Sequence, residues 1–308
     1  VLAALAGLTA CGSPAPTVDA AVPADAWTPP DTWSAPDVCD PAFVHVLEGV
    51  ENDTVSIDLD TTTMMGAPRD LGLHCGNPGY ELRWVNQAVI ELHVPGTGMQ
   101  GVRVSTDNAQ TQIDFNTVVQ LRTECRTVPT GVLPPTCFDN VSTADVHSVG
   151  GATVPGGSTL YIYVTGYSDP PPTVIESEMG PVHVDIAIAP NTAPTLASGT
   201  VMWSGIDTLV TANAHDAEGP VVGYAFSLYA GAARLDFNGD GVATEDDVFL
   251  VGFDSVSGGP DYVAQSRIRG ASLAVEQVCT MSAHCTQMGI QVYDQAMALS
   301  NVIRVNLP

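Results

Sequence analysis

The stretch RLDFNGDGVATEDDVFL, residues 234–250, places five carboxylates in the twelve positions from Asp236 to Asp247, in a chain whose charged residues make up only 14% of the whole. These residue types, so spaced, are those of a loop that wraps a hard cation. Set against the pattern D-x-[DN]-x-[DN]-G-x5-[ED], Asp236 stands at position 1, Asn238 at 3, Asp240 at 5 and Gly241 at 6. Val242 at 7 offers its backbone carbonyl, Thr244 at 9 its hydroxyl or a bridged water, and Asp247 closes the pattern at 12. Alternate positions turn inward, and Gly241 permits the turn that brings the carbonyl at 7 back toward the others.

Electrostatics gives the same reading. Two like charges about 4 Å apart repel by roughly 1 kcal/mol in water and about 4 kcal/mol at an effective dielectric near 20. Asp236, Asp240 and Asp247 converging on nothing would be untenable, and a divalent cation reverses the sign. The expected cofactor is calcium, at the weak affinity, about 0.1–1 mM, of extracellular modules. The bland alternative is a solvated acidic turn.

The flanks are what must position the loop. VVGYAFSLY before it and VFLVGF after it read as strands or one short helical turn, not as the two amphipathic helices of a paired EF-hand. Asp at the closing position resembles the dockerin type of loop. Dockerins carry two such loops in tandem and one is present here, so the expectation is a lone calcium loop inserted in a β-domain.

The 308 residues suffice for two domains. Net charge is −25, all nine basic residues are Arg, and such a surface repels phosphate backbones and anionic headgroups. Nucleic acid is therefore not an expected partner. The opening VLAALAGLTACGS, with Leu8-Thr9-Ala10-Cys11 ending an apolar run, resembles the lipobox of bacterial lipoproteins. That resemblance implies a signal peptide over 1–10, cleavage before Cys11 and a lipid on its thiol. Residues 11–38, rich in Pro, Ala and Asp, cannot offset their ordering entropy by burial and are expected to form a disordered tether. The implied location is the bacterial cell envelope, as an outer-membrane lipoprotein facing the periplasm or the outside.

Seven cysteines is an odd number for an exported chain. With Cys11 assigned to lipid, Cys39, Cys75, Cys125, Cys137, Cys279 and Cys285 remain for disulfides. Fifteen pairings are possible, and nearness in sequence favours Cys39–Cys75, Cys125–Cys137 and Cys279–Cys285.

From Cys39 to about Pro190, TVSIDL, AVIELHV, GVRVST, NTVVQLRT, STLYIYVTGY and VHVDIAI alternate apolar with polar at period two, with no helical periodicity. The expected fold class is all-β, with two tandem antiparallel β-sandwiches over 39–190 and 191–308. The run IDFNTVVQLRTEC, then CFDN, then VPGGSTLYIYVTGY, resembles the bacterial pre-peptidase C-terminal domain, through Phe115, Thr117, Val118, Cys125, Cys137, Asp139 and Thr159 to Tyr167. It departs at Asn116, Phe138 and Asn140, which weakens any second cation site there.

After the linker APNTAPTL, the opening N-x-A-P-T, the turn A-H-D-A-E-G-P-V and the ending V-Y-D with S-N-x-I-R-V resemble extracellular immunoglobulin-like domains of the cadherin or PKD kind. Val222, Tyr224, Phe226 and Leu228 are expected to share one core-facing side of a strand. Asp216 and Glu218 are read as a polar strand-connecting turn in preference to cation ligands.

No G-x-S-x-G, H-E-x-x-H or candidate Cys nucleophile occurs, so no catalytic residue is assigned and an enzyme is not expected. The leading reading is a lipid-anchored envelope protein of two β-sandwiches with one calcium loop, in a structural or ligand-binding role toward a surface protein or polysaccharide. The alternatives are a calcium-dependent docking module or the accessory part of a secreted hydrolase.

Overall fold

A computed structural model describes residues 39–63, 65–66, 85–126, 137–139, 146–167, 179–236, 242–243, 249–268 and 285–307. It is an all-β molecule with four sheets. Apolar side chains at every second position leave one side of each strand dry and the other wet, and two such sides facing each other make a core.

The first sheet runs β1 (Val44–Glu48), β4 (Val85–His93), β9 (Thr159–Gly166), β6 (Thr117–Arg122) and β7 (Cys137–Asp139), with β3 (Met65–Gly66) also on β4. The second runs β2 (Asp53–Asp60), β10 (Pro181–Pro190), β5 (Met99–Ser105) and β8 (Val149–Pro155). Between them lies a core that includes Ile90, Leu92, Val102, Phe115, Leu121, Ile162, Val184 and Ile186. The third sheet is β11 (Thr195–Ser204), β12 (Asp207–His215), β17 (Asp261–Ile268) and β16 (Ser255–Gly258). The fourth is β14 (Ala233–Arg234), β13 (Val221–Ala230), β18 (Gln287–Asp294) and β19 (Ile303–Asn306), with β15 (Phe249–Gly252) also on β13. Its core with the third sheet holds Leu196, Val210, Tyr224, Phe226, Leu228, Ile290 and Val292.

Two details depart from simple alternation. β1 lies parallel to β4, with Val44 opposite Val89 and Glu48 opposite His93, whereas the other strand pairs among the described residues are antiparallel. In β13 the register slips between Val221 and Gly223, so Val221 packs in the core beside Tyr224, Phe226 and Leu228 while Val222 does not. An extra residue at a bulge turns the preceding side chain to the other face, which corrects the expected stripe at its first position. Opposite that bulge, a Cβ on Gly223 would collide with the Tyr293 ring, so the glycine admits the phenol against the strand.

Candidate functional site

The acidic loop leaves the fourth sheet from its edge. β14 pairs with the end of β13 (Tyr229 opposite Arg234), and β15 with its first half (Phe226 opposite Phe249), both on the side of β13 away from β18. An unbroken strand would bring position 237 opposite Phe226; the residue found there is 249, so the register advances by twelve residues. Twelve is the length of the pattern from Asp236 to Asp247. The Leu235 amide still donates to the Leu228 carbonyl (2.8 Å), continuing the ladder up to the loop's first residue.

Of the expected ligands, Asp236 is half-buried at the end of that ladder and Val242 is exposed. Asn238, Asp240, Thr244 and Asp247 lie outside the described residues, as does Cys11. Among the described residues no three His, Cys, Asp or Glu side chains gather closely enough to hold a metal ion.

The cysteines pair differently from the order in sequence. Cys39 bonds to Cys125, 86 residues away, which excludes both Cys39–Cys75 and Cys125–Cys137. Sheet order gives the reason. The chain before β1 and the chain after β6 both turn onto the outer face of the first sheet, where Cys39 and Cys125 meet beside Val89 and Tyr163. Cys137 is held opposite Gln120 by the β6–β7 ladder. Cys137 and Cys285 are also disulfide-bonded, to partners outside the described residues, where Cys75 and Cys279 lie too.

Around Cys39–Cys125 the outer face of the first sheet is sealed. Tyr163 donates its hydroxyl to the Cys125 carbonyl (2.6 Å). The Arg122 guanidinium stacks 4.0 Å over the Tyr163 ring, donates to Gln120 Oε1 (2.8 and 2.6 Å) and reaches the Cys125 carbonyl (3.1 Å). A buried charge in such a setting persists because each hydrogen-bonding arm has an acceptor.

The second constellation joins the two sandwiches, and sequence reasoning passed over it. Asp294, at the end of β18, accepts from the amides of Ala296 (2.8 Å) and Ala298 (2.9 Å) on Oδ1 and from Asn191 Nδ2 (2.9 Å) on Oδ2. Asn191 is the linker residue, and its Nδ2 also lies 3.0 Å from Thr153 Oγ1 on β8. Thr153 in turn donates to the Ala296 carbonyl (2.9 Å). The 294–298 turn rests on the first sandwich where two glycines remove side chains. A Cβ on Gly101 would come 2.9 Å from that of Ala296, and one on Gly151 would come 2.5 Å from the Gln295 carbonyl. The sequence signals were present in the quoted N-x-A-P-T and V-Y-D, but nothing in their spacing announced that they meet.

Beside this junction Asp216 behaves as the polar turn expected of it, its Oδ1 accepting from the amides of Glu218 (3.0 Å) and Gly219 (3.2 Å). Burial pushes the Asp216 carboxyl up, against those two donors. Burial likewise pushes Asp294 up, Asn191 opposing and the Asp216 charge adding to it. An open cleft of about 680 Å³ adjoins, lined by Asn52, Asp53, Arg103, Asn191, Glu218 and Asp294 among others.

Several histidines bridge strands through carboxylates. His93 has Glu91 Oε1 3.0 Å from Nε2 and Glu48 Oε1 2.8 Å from Nδ1, which raises its pKa, Glu91 contributing most. His183 faces Asp58 (2.7 Å) and His215 faces Asp261 (2.8 Å). His93 turns its two ring nitrogens to different carboxylates, an arrangement for an imidazolium bridge and not for ligands converging on one ion.

No family model matches the chain, and no curated protein matches it. Among solved structures, β-glucuronidase from Ruminococcus gnavus, in complex with D-glucaro-d-lactam, is similar at 11% identity and a TM-score of 0.23 over 85% of this chain and 47% of that one. The Endo-D glycoside hydrolase domain from Streptococcus pneumoniae R6 is similar at 9% identity and a TM-score of 0.22, over 82% of this chain and 36% of that one. The chain spans less than half the length of either.

Proposed function

We propose that this chain is a lipid-anchored protein of the bacterial cell envelope whose two β-sandwiches carry one calcium loop, Asp236–Asp247, and serve a structural or partner-binding role. The observation that carries the calcium reading is the twelve-residue advance in register between β14 and β15, which matches the length of the ligand pattern and starts at its first residue. Strands on both sides give the loop a fixed base, and carboxylates converging from such a loop would call for a cation between them. The Cys39–Cys125 disulfide supports an oxidising compartment, as export to the envelope would supply.

Calorimetric titration of the whole chain tests the calcium part. Binding to the folded form alone stabilises it by about 2.7 kcal/mol at a hundredfold excess over Kd. For a chain this size that is a rise of several degrees in Tm. Asp240→Ala is expected to remove most of the rise while leaving the metal-free Tm unchanged or slightly higher, because one repelling charge is gone. Magnesium is expected to substitute poorly, since it gives up its waters reluctantly. Absence of calcium heat at millimolar concentration, with identical melting in chelator, would leave the stretch a solvated turn.

The anchor is tested separately by Cys11→Ser. The variant is expected in the soluble fraction, and unchanged membrane partitioning would rule out lipid at that residue.

A further inference from the structure

At the junction between the sandwiches two carboxylates are buried, with no Arg or His side chain among the described residues paired to either. Asp294 is 2% exposed and Asp216 3%. The two differ in one respect. Both oxygens of Asp294 accept hydrogen bonds, from Ala296, Ala298 and Asn191, whereas Asp216 uses Oδ1 alone and its buried Oδ2 has no partner. The charged group acting on Asp294 is Asp216, and the one acting on Asp216 is Glu218. Asp53, Arg103 and Glu218 line the adjoining cleft, and Arg103 makes no ion pair with either buried acid.

We propose that Asp216 and Asp294 form a proton-operated latch, in which a proton taken up on Asp216 Oδ2 closes the junction and its loss loosens the 294–298 turn from β5 and β8. The position of the proton follows from the hydrogen bonds. Protonating Asp294 would sacrifice an accepted N–H, while Asp216 Oδ2 accepts nothing and loses nothing. With Asp216 neutral, the carboxylate of Asp294 keeps its three donors and holds Asn191, hence the linker, in place. With both ionised, the Asp216 charge acts on that of Asp294 in a medium that screens poorly, and the turn that supplies two of the donors is the element free to move.

The sign follows from the direction of the shifts. The Asp216 carboxyl is raised above its ordinary value, so the stability its proton contributes is full below the usual carboxylate range. It is lost as pH rises through the raised value, so the latch closes as Asp216 takes up its proton and opens toward neutrality. General repulsion in a chain of net charge −25 also relaxes in acid, so a single pH–stability curve proves nothing and a comparison is required.

The test is thermal melting of the full chain from pH 4.5 to 7.5 in chelator, wild type against Asp216→Asn. The amide keeps an oxygen for the Glu218 and Gly219 donors and stays neutral at every pH. The two proteins are expected to melt together near pH 4.5, with the variant higher by several degrees at pH 7.5. Parallel curves would overturn the latch. Hydrogen exchange on the wild type gives a reading that needs no variant. The Ala296 and Ala298 amides should lose at least tenfold in protection between pH 5 and pH 7.5, relative to amides of the β4–β9 ladder, and an equal change in both sets would also overturn it. A repeat with millimolar calcium separates proton from metal. A gap at pH 7.5 that persists in calcium supports the proton, and one that calcium abolishes assigns the balancing charge to a metal and overturns the proposal.

Discussion

Double replacement of Cys39 and Cys125 by Ser is expected to cost the protein about 4–5 kcal/mol, the largest loss from any change considered. The bond joins residues 86 apart, and closing a loop of that length removes chain entropy from the unfolded state in proportion to the logarithm of its size. It also ties the chain just before β1, a five-residue edge strand paired on one side alone, to the segment that follows β6 in the same sheet. The double variant is the proper comparison, because a single one would leave a thiol to exchange with the other cysteines. Urea denaturation measures the difference, and a midpoint equal to that of the wild type would show that the bond is dispensable. Loss of β1 alone is expected first, visible as early exchange of the amides of Val44–Glu48.

The second large effect is expected at the junction. Gly151→Ala places a methyl 2.5 Å from the Gln295 carbonyl, 3.0 Å from the Val102 carbonyl and 3.1 Å from the Ala296 Cα. All three are backbone atoms and cannot rotate away, so the two sandwiches must separate or β8 must shift, at about 1–3 kcal/mol. Gly98→Ala is the control, since nothing lies within 4 Å of its added methyl. Calorimetry should show a lower Tm for Gly151→Ala, with the Asn191 and Ala296 amides exchanging faster, and no change for the control. Equal behaviour of the two variants would mean that the turn does not bear on β8 in solution.

Where strand patterning was strong it was legible. TVSIDL, AVIELHV, NTVVQLRT, STLYIYVTGY and VHVDIAI are β2, β4, β6, β9 and β10, because alternation at period two has few other uses in a chain lacking helical stripes. β8 was not legible, since Gly150 and Gly151 interrupt its pattern and read as a turn. Both glycines answer neighbours distant in sequence: a Cβ on Gly150 would strike the Phe138 ring, and one on Gly151 the Gln295 backbone. β17, DYVAQSRI, was passed over for another reason. Its core-facing Ala264 and Ser266 are too small and polar to mark a buried face. β1 and β11 were missed as well, the latter carrying a bulge between Leu196 and Ser198.

The candidate site divides the same way. The proposed ligand pattern Asp236–Asp247 is local, every spacing within twelve residues, so it can be read from the sequence alone, whereas its flanks read there as strands or one short helical turn. Only the tertiary structure decided that the loop leaves a single edge strand of the fourth sheet. The cysteines were countable in the sequence, but Cys39 found Cys125 and not a nearer thiol because strand order, and not chain distance, sets which sulfurs meet. Asp216, Asp294 and Asn191 looked like ordinary turn and linker residues, each with a local reason to be polar. Their burial together arises when two sandwiches dock through glycines, and the free energy of a carboxylate depends on the dielectric and charges around it, which the fold creates.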